Sequence, residues 1–372
     1  MKNITEAKDL KGKKVLLRLD LNVPVKDGEV LNDFRIKKIL PTIDFLKEHG
    51  AKIIIISHIG REKTETFKPV FNYLKKIMDI VFVSDVLNDD ASAVVNNMKD
   101  GDIVMIENLR QHEGEKNNDE SFSKQIARLG DIYVNEAFAN SHRSHSSIVG
   151  IPQFLPSYSG ILFQKEIQAL SESFKPQSPF LFIIGGNKLK TKLSLIEKMA
   201  KIADNVFVGG ALANDFFKAK GLNVGTSFIS DEPVDLSNLI KNEKIILPVD
   251  VVVKNEKGDV QTKKPTDVLS GEKILDAGDD TVSQLLKLVN DSKFVLFNGP
   301  LGDYEKGFGK PTAELIRIIG NSDVNSIVGG GDTTAIISNL GIEDQFTFVS
   351  TGGGAMLDFL LNETLPGIKA LG

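Results

Sequence analysis

Residues 179–186, PFLFIIGG, join a short run of strand-forming apolar residues to a pair of glycines. The same arrangement recurs along the second half of the chain, in NVFVGG, KIILPVDVVV, KFVLFNGP, NSIVGGGD and FTFVSTGGG. All but one of these segments lead fairly directly into a segment with apolar residues at helical spacing. Strands that alternate with helices in this way predict a parallel α/β sheet.

The first half has the same rhythm. Five β-rich runs lie before residue 140, namely KKVLLRLDLN, AKIIIISH, IVFVSD, DIVMIENL and DIYVNEAF. Helix-like stretches such as RIKKILPTIDFLKEHG, PVFNYLKKIMD and ESFSKQIARLG separate most of them. Between the halves, several prolines flank one helical stretch, GILFQKEIQALSESF. We therefore predict two doubly wound, Rossmann-like parallel-sheet domains, 1–155 and 179–362, joined by a linking helix and hinge over 156–178.

The composition is that of an ordinary globular protein. The chain has 372 residues, of which 41% are hydrophobic and 26% charged, and it exceeds what one core usually serves. The formal net charge of −5 argues against a nucleic-acid-binding surface spread over the whole protein. With no cysteine, disulfides, thiolate nucleophiles and zinc–sulfur sites are excluded. The longest aliphatic run, 53–56, is far too short for a membrane span, so we expect a cytoplasmic protein.

Glycine clusters end several strands of the second half. In open α/β sheets, ligands gather where strands end and helices begin, because glycines let the backbone approach and helix N-termini point amides at anions. A phosphorylated nucleotide fits such a site. The alternative is that the glycines only make tight turns, a reading that weakens as the clusters multiply. The clusters contain Gly185, Gly186, Gly209, Gly210, Gly299, Gly329, Gly330, Gly331, Gly352, Gly353 and Gly354.

No standard phosphate fingerprint accompanies these glycines: the P-loop, G-x-G-x-x-G and protein-kinase patterns are all missing. Lys188 and Lys192 follow the first cluster, and Asp332 with Thr333 follows another. The lysine pair suits phosphate contact, although it could form a solvated helix start. Asp332 could be an N-cap, but a lone carboxylate also suffices for Mg²⁺ when phosphates supply other ligands.

Basic residues recur after the strands of the first half. Arginine presents a planar donor fork suited to carboxylate and phosphate, so this repetition predicts a compact anionic substrate. Asp20 and Asn22 add acceptors for a hydroxyl group. The residues are Arg18, Arg35, Arg61, Arg110 and Arg143, with His58, His112, His142 and His145. A metal site at His142 and His145 is disfavoured because no further ligand motif lies nearby.

The chain resembles the phosphoglycerate kinase family over essentially its whole length. In its first half RLDLNVP (18–24), SHIGR (57–61), ENLR (107–110), VNEAF (134–138) and SHRSHSS (141–147) follow the family's order. In its second half GGNK (185–188), VGGALAN (208–214), LPVD (247–250), FNGPLG (297–302), GGGDT (329–333) and STGGGA (350–355) do so. Each motif is weak alone, but so many in one order are not expected by chance.

The resemblance implies reversible phosphoryl transfer from 1,3-bisphosphoglycerate to ADP, giving 3-phosphoglycerate and ATP, by a cytoplasmic monomer that uses Mg²⁺ with the nucleotide and has no nucleic-acid or membrane partner. It implies 3-phosphoglycerate binding by Asp20, Asn22, Arg35, His58, Arg61, Arg110 and Arg143, with Arg18 and His142 completing the basic patch. It implies nucleotide binding by Lys188, Lys192, Gly209, Gly210, Asn298, Pro300, Glu305, Gly329, Gly330, Gly331, Asp332 and Thr333, with Asp332 toward Mg²⁺. The family's C-terminal tail, here 363–372, is expected to return to the first domain.

The sequence departs from the family pattern in three places. Asn187 and Lys190-Thr191 replace the family's usual small residue and acidic residue, and Lys310-Pro311-Thr312 replaces the usual Gly-Thr. After Arg61, Glu-Lys-Thr-Glu replaces Pro-Lys-Gly. None of these changes removes an expected catalytic group.

The implied chemistry needs no general base. A carboxylate acceptor is already ionised at neutral pH, since its unperturbed pKa lies near ~4. Positioning and charge stabilisation remain as the work of the protein, with Arg35 and Lys192 flanking the transferring group and the amides of Gly352 and Gly353 adding fixed dipoles. Three alternatives remain: another small-molecule kinase, a dehydrogenase, or a catalytically inactive relative. The phosphate-binding fingerprints of the first two are missing from this sequence. An inactive relative should have lost Arg35, Lys192 or Asp332, and all three are present.

Overall fold

The chain forms two compact units. The computed structural model describes residues 1–232 and 234–372, without the side chain of residue 89. Unit 1 comprises Met1–Gln168 and Asn362–Gly372, and unit 2 comprises Ala169–Leu361. The hinge function predicted for 156–178 stays a prediction.

Unit 1 is built on a six-stranded parallel sheet with the order β5-β6-β4-β1-β7-β8, beside a small antiparallel hairpin of β2 and β3. The central strands are fully buried aliphatic runs, as expected of a sheet covered on both faces. The strands are β1 (Lys14–Arg18), β2 (Val25–Lys26), β3 (Glu29–Val30), β4 (Lys52–Ile56), β5 (Val81–Val83), β6 (Ile103–Ile106), β7 (Ile132–Asn135) and β8 (Ser157–Ser159).

Helices of unit 1 connect these strands. α1 buries one side of its amphipathic sequence, with Ile36, Ile39 and Ile43 joining the core that β1 and β4 also line. The helices are α1 (Phe34–Glu48), α2 (Lys68–Leu74), α3 (Asp89–Asn96), α4 (Glu113–Asn117) and α5 (Glu120–Ala127), and α6 (Ile161–Ser171) begins in unit 1 and ends in unit 2. α6 is the helix predicted between the halves, whereas the edge strand β8 just before it was not predicted.

Unit 2 repeats the architecture with the strand order β11-β10-β9-β15-β16-β17, again wholly parallel. The prediction of two doubly wound α/β sheets is confirmed. The strands of this sheet are β9 (Phe180–Ile184), β10 (Asn205–Val208), β11 (Ile245–Ile246), β15 (Phe294–Asn298), β16 (Asn325–Gly329) and β17 (Phe348–Val349). Its helices are α7 (Leu189–Ile202), α8 (Ala211–Ala219), α9 (Asp279–Asn290), α10 (Lys310–Gly320), α11 (Gly331–Leu340) and α12 (Gly354–Asn362).

Unit 2 also has a three-stranded antiparallel sheet that was not predicted. It contains β12 (Val251–Lys254), β13 (Val260–Lys263) and β14 (Lys273–Ala277), in the order β13-β12-β14. The run KIILPVDVVV, expected to be one strand of the parallel sheet, is therefore divided between two sheets. Pro248 explains the break, because it cannot donate to a strand ladder and separates β11 from β12.

The C-terminal segment belongs to unit 1. α13 (Pro366–Ala370) follows a buried Leu365, and the Gly367 amide donates to the carbonyl of Ser141 at 2.8 Å. This helix therefore packs close to the loop that carries His142 and Arg143. Within 1–232 and 234–372, the helices are all too short or too polar to cross a bilayer.

Candidate active site

The basic residues of unit 1 gather where its sheet changes direction. The chain winds one way from β1 to β4 and the other way from β7 to β8, so β1 and β7 flank the switch point. Ligands in open α/β sheets bind at the carboxyl ends of such strands. Arg18 ends β1, and His58, Arg110 and Arg143 lie in the loops after β4, β6 and β7. The topology thus brings together residues far apart in sequence.

The gathered cations perturb one another. Burial, then Arg143 and Arg18, lowers the pKa of Arg110 to about 10. Burial, then the three arginines, lowers the pKa of His58 well below its usual value. The same causes lower the pKa of His145 to about 4. Both imidazoles are therefore neutral near pH 7, and Glu115 and Asp20 offset only part of the positive charge of Arg18, Arg110 and Arg143, which an anion would stabilise.

Arg35, Asp20 and Asn22 form a second part of this site. The Arg35 guanidinium donates from Nη1 to Asp20 Oδ2 at 2.8 Å and to the Asn22 carbonyl at 3.2 Å. Asn22 Oδ1 accepts from the Gly60 amide at 3.0 Å, which joins the loop after β1 to that after β4. The Nε and Nη2 donors of Arg35 have no hydrogen-bond partner in the described chain, so they are available to a ligand.

Four of the predicted basic residues differ in their surroundings. Arg18 is 0% exposed and donates to protein groups only, so it lies beneath the site rather than on its surface. Arg61 is exposed, and its hydrogen bonds are made by its backbone. His142 accepts from Arg143 Nε at 3.2 Å. The Nε2 atom of His112 lies 3.1 Å from Asp85 Oδ1.

The nucleotide residues expected in unit 2 surround the corresponding switch point. There β9 and β15 pair in parallel along their whole length, and hydrogen bonds continue past their ends: the Gly185 amide donates to the Asn298 carbonyl at 2.8 Å, and the Gly186 amide to the Pro300 carbonyl at 2.9 Å. Gly210 lies against this pair with φ +62°, and a Cβ there would come within 2.7 Å of the Gly186 nitrogen. Only glycine satisfies both the close approach and the positive φ.

Three helices begin around these turns without a side-chain cap. The N-cap positions of α7, α8 and α11 are Lys188, Gly210 and Gly330, and none makes a side-chain capping bond. Their first amides are therefore free of capping side chains, and the helix dipoles favour an anion at this edge. Asp332 lies in the first turn of α11 rather than at its N-cap, which excludes the capping interpretation.

Lys192 lies at the centre of this edge. Its Nζ donates to the Gly185 carbonyl at 2.5 Å. Burial lowers the pKa of Lys192 to about 8, with Asp332 opposing and Lys188 reinforcing the change. Lys192 and Asp332 are therefore close enough to interact, whereas Lys188 is exposed. The exposed Asp332 carboxylate at this helix start has the chemistry of a single protein ligand to Mg²⁺ whose other ligands are phosphates. Among the described residues, no cluster of three or more His, Cys, Asp or Glu occurs that could hold a metal ion.

A cleft of about 300 Å³ opens from this edge. Of the predicted residues, it is lined by Gly210, Pro300, Glu305 and Asp332. Glu305 is exposed in the short helical turn Tyr304–Lys306, where its carboxylate faces solvent. Phosphate-binding and carboxylate groups thus share one concave surface, whose remaining lining includes the apolar side chains of Phe217, Phe228, Ile274 and Leu275. A site of this kind suits a ligand with one charged and one flat apolar end.

The other predicted residues surround the cleft without lining it. Asn298 is buried and donates to Met356 Sδ at 3.5 Å. Thr333 is 0% exposed. The Gly352 amide donates to Ser350 Oγ at 3.0 Å. Gly353 follows it and directly precedes α12, which begins at Gly354. Gly209 directly follows β10, Gly329 ends β16, and Gly331 begins α11.

Two buried polar residues in the cleft were missed. Asp276 is 4% exposed, and burial raises the pKa of its carboxyl to about 7. Asn214 is 1% exposed and donates to the Phe228 carbonyl at 2.9 Å. Asp276 lies on β14 of the antiparallel sheet, which gave no recognisable sequence signal. Asn214 falls within the VGGALAN motif, which could have identified it.

The three departures from the family pattern are accommodated locally. Glu65 accepts from the backbone amides of Arg61 and Glu62, so it closes the altered loop after Arg61. Lys190 pairs with Glu232 at 2.6 Å, away from the glycines. Lys310 begins α10 and pairs with Asp279 at 3.3 Å. The predicted catalytic side chains take no part in these contacts.

Comparison with known proteins agrees with this arrangement. The sequence model of the phosphoglycerate kinase family matches residues 4–363. A phosphoglycerate kinase of a Wolbachia from Drosophila simulans is 41% identical over 98% of this chain and 96% of its own, and one from Enterococcus faecalis is 40% identical over 98% and 97%. The structure of the Coxiella burnetii phosphoglycerate kinase superposes with a TM-score of 0.83 at 35% identity, covering 99% of this chain and 97% of its own. That of Pyrococcus horikoshii gives 0.88 at 31%, covering 100% and 98%.

The fold and the charged strand ends are those of an α/β phosphotransferase. The chain belongs to the phosphoglycerate kinase family. The resemblance on which that family was expected is confirmed.

Proposed function

We propose that the chain catalyses phosphoryl transfer between 1,3-bisphosphoglycerate and ADP, with the triose bound by unit 1 and the nucleotide by unit 2. This assignment of the two sites rests on one observation: the chemical groups at the switch point of unit 1 differ from those at the switch point of unit 2. Unit 1 offers arginine side chains, which suit a small ligand with a carboxylate and a phosphate. Unit 2 offers helix N-termini without side-chain caps beside a cleft with apolar walls, which suits a nucleotide.

On the triose side, Arg110 and Arg143 supply charge, and Arg35 has donors free for an anion. Asp20 and Asn22 accept from a hydroxyl group, while His58 contributes as a neutral donor. Arg35 is proposed to stabilise charge on the transferring group. The acceptor carboxylate is already ionised at neutral pH, so no residue is required to remove a proton.

On the nucleotide side, the amides that begin α7, α8 and α11 contact phosphate oxygens, and Glu305 accepts from ribose hydroxyls. Lys192 is proposed to follow the transferring phosphoryl group, and a bound phosphate would favour its charged form. Mg²⁺ arrives with the nucleotide, and Asp332 would hold it together with phosphate oxygens. When bound, the ion neutralises charge that develops on the phosphates. The amide of Gly353 is proposed to add a dipole at the same place, whereas the Gly352 amide, predicted to do the same, already donates to Ser350 Oγ.

The test is a coupled assay of the purified chain with 3-phosphoglycerate, ATP and Mg²⁺. We expect turnover that depends on all three and disappears when the divalent ion is chelated. Folded protein that shows no turnover with both substrates would refute the proposal. Because the family acts in glycolysis, we also propose a cytoplasmic location. We further propose that the protein is a monomer, which a sedimentation measurement on the active protein would test.

A further inference from the structure

Arg18 has the features of a residue that acts through another side chain. Its guanidinium is wholly buried, and its donors are directed to three protein groups. Nε donates to Ser147 Oγ at 2.8 Å, Nη1 donates to the Leu19 carbonyl, and Nη2 lies 2.9 Å from His58 Nδ1. Arg18 therefore reaches the triose site only through His58.

The contact with His58 determines where the imidazole carries its proton. Arginine has five N–H donors, no acceptor, and stays protonated in proteins. A protonated Nδ1 would place two hydrogens against each other across 2.9 Å. Nδ1 must therefore accept, and in a neutral imidazole the proton then lies on Nε2. Nε2 has no hydrogen-bond partner among the described residues.

The guanidinium is itself held by a buried network. Ser147 Oγ, which accepts from Arg18, donates to Glu115 Oε1 at 2.6 Å, and the Ser147 amide donates to Glu115 Oε2 at 2.9 Å. Tyr133 Oη donates to the Ser147 carbonyl at 2.6 Å. Glu115, Ser147 and Tyr133 are all 0% exposed. With partners on every side, Arg18 cannot swing away and release His58 at low cost.

We propose that Arg18 is a positioning residue that fixes His58 as the neutral Nε2–H tautomer, which then donates a hydrogen bond to an anionic oxygen of the triose substrate. The identity of that substrate rests on the proposed function, but the tautomer does not. The groups facing His58 are Arg18, Arg110, Arg143 and His145, all of which oppose a charge on its ring. A donor that keeps its proton binds the anion without a pH-dependent step.

The first test is spectroscopic and needs no substrate. In full-length protein with ¹⁵N-labelled histidine, long-range proton–nitrogen correlations distinguish protonated from bare ring nitrogens, and His58→Gln assigns the signals. We expect a bare Nδ1 and a protonated Nε2 from pH 8 to pH 5. A protonated Nδ1, or two equivalent nitrogens at pH 6, would overturn the proposal even if the enzyme is active.

The second test removes the donor. In Arg18→Met we expect His58 to populate both tautomers and to titrate nearer its ordinary range. An unchanged tautomer would overturn the role of Arg18. Ser147→Ala provides a milder change of the same network if Arg18→Met does not fold, and we expect it to broaden or mix the His58 signals; unaltered signals would count against the proposal.

The third test is a double-mutant cycle in the coupled assay. We expect Arg18→Met to raise KM for 3-phosphoglycerate about tenfold, as for one lost hydrogen bond to a charged group. It should add little when His58→Gln is already present, and the nucleotide KM should not change. Fully additive effects would mean that Arg18 acts independently of His58. Absence of activity in the wild type would refute the proposed function, while the spectroscopic result would still stand.

Discussion

The candidate sites of the two units offer different groups to an anion. Unit 1 offers charged side chains, and burial, followed by the neighbouring cations, lowers the pKa of Arg110 and His145. Unit 2 relies on backbone amides at uncapped helix starts, with Lys192 as its one strongly perturbed lysine in the described chain. A small ligand with a carboxylate and a phosphate needs charge in a fixed geometry, whereas a nucleotide also needs room for its base. The same sheet topology supports both solutions.

The largest effect is expected at Lys192. Lys192→Met removes a charge that the account assigns to the transition state, so kcat should fall at least ~100-fold while the nucleotide KM changes much less. Lys190→Met is the matched control, because Lys190 is exposed on the same helix and pairs with Glu232. Steady-state kinetics decides: near-normal kcat with a raised KM in Lys192→Met would assign it to ground-state binding only.

Arg35→Met tests whether Arg35 has in unit 1 the transition-state role proposed for Lys192 in unit 2. It removes the donors that Arg35 leaves free beside Asp20, so we expect kcat to fall about 100-fold with a smaller rise in KM for 3-phosphoglycerate. Arg128→Met removes an exposed arginine of the same unit and should retain normal rates. If Arg35→Met altered only the triose KM, the transition-state role would belong to Lys192 alone.

Gly210→Ala tests whether unit 2 binds through its backbone. The added Cβ meets the Gly186 nitrogen at 2.7 Å and forces a non-glycine residue to φ +62°. We expect the nucleotide KM to rise about tenfold, because an alanine in this conformation costs ~1–2 kcal/mol and displaces the phosphate turn. Gly221→Ala carries the same kind of backbone strain at φ +80° but meets no atom within 4 Å. Equal effects of the two substitutions would show that strain alone is responsible.

The smallest effect concerns stability. Burial raises the pKa of Asp276 to about 7, from 3.8, so the folded chain holds this proton more tightly than the unfolded chain. Its contribution to stability is present below pH 3.8 and is lost as pH rises through 7. Asp276→Asn should therefore raise Tm by several degrees at pH 8 and by less at pH 5. Asp323→Asn, at an exposed position, is the control; a Tm gain independent of pH would point to packing instead.

Sequence reasoning predicted the parallel sheets because their strands are continuous aliphatic runs, such as 53–56, that end in recognisable polar or glycine residues. It missed β8, whose three residues carry polar side chains, and the antiparallel sheet, whose strand β13 is largely exposed. It grouped the arginines by their positions near strand ends, and the structure places Arg18, Arg110 and Arg143 close enough to lower the pKa of His58. It could not separate buried Arg18 from exposed Arg61, because burial depends on the Glu115 and Ser147 contacts that only the folded chain forms.

We propose above all that unit 1 binds the triose through charged side chains and that unit 2 binds the nucleotide through backbone amides. Amide hydrogen exchange of the full chain, measured with 3-phosphoglycerate alone and with the magnesium nucleotide alone, tests it most directly. The account predicts that the triose slows exchange in the loops after β1, β4 and β6, and that the nucleotide slows exchange in the loops after β9, β10 and β16. Protection of the unit 2 glycine loops by the triose alone, with none in unit 1, would contradict it.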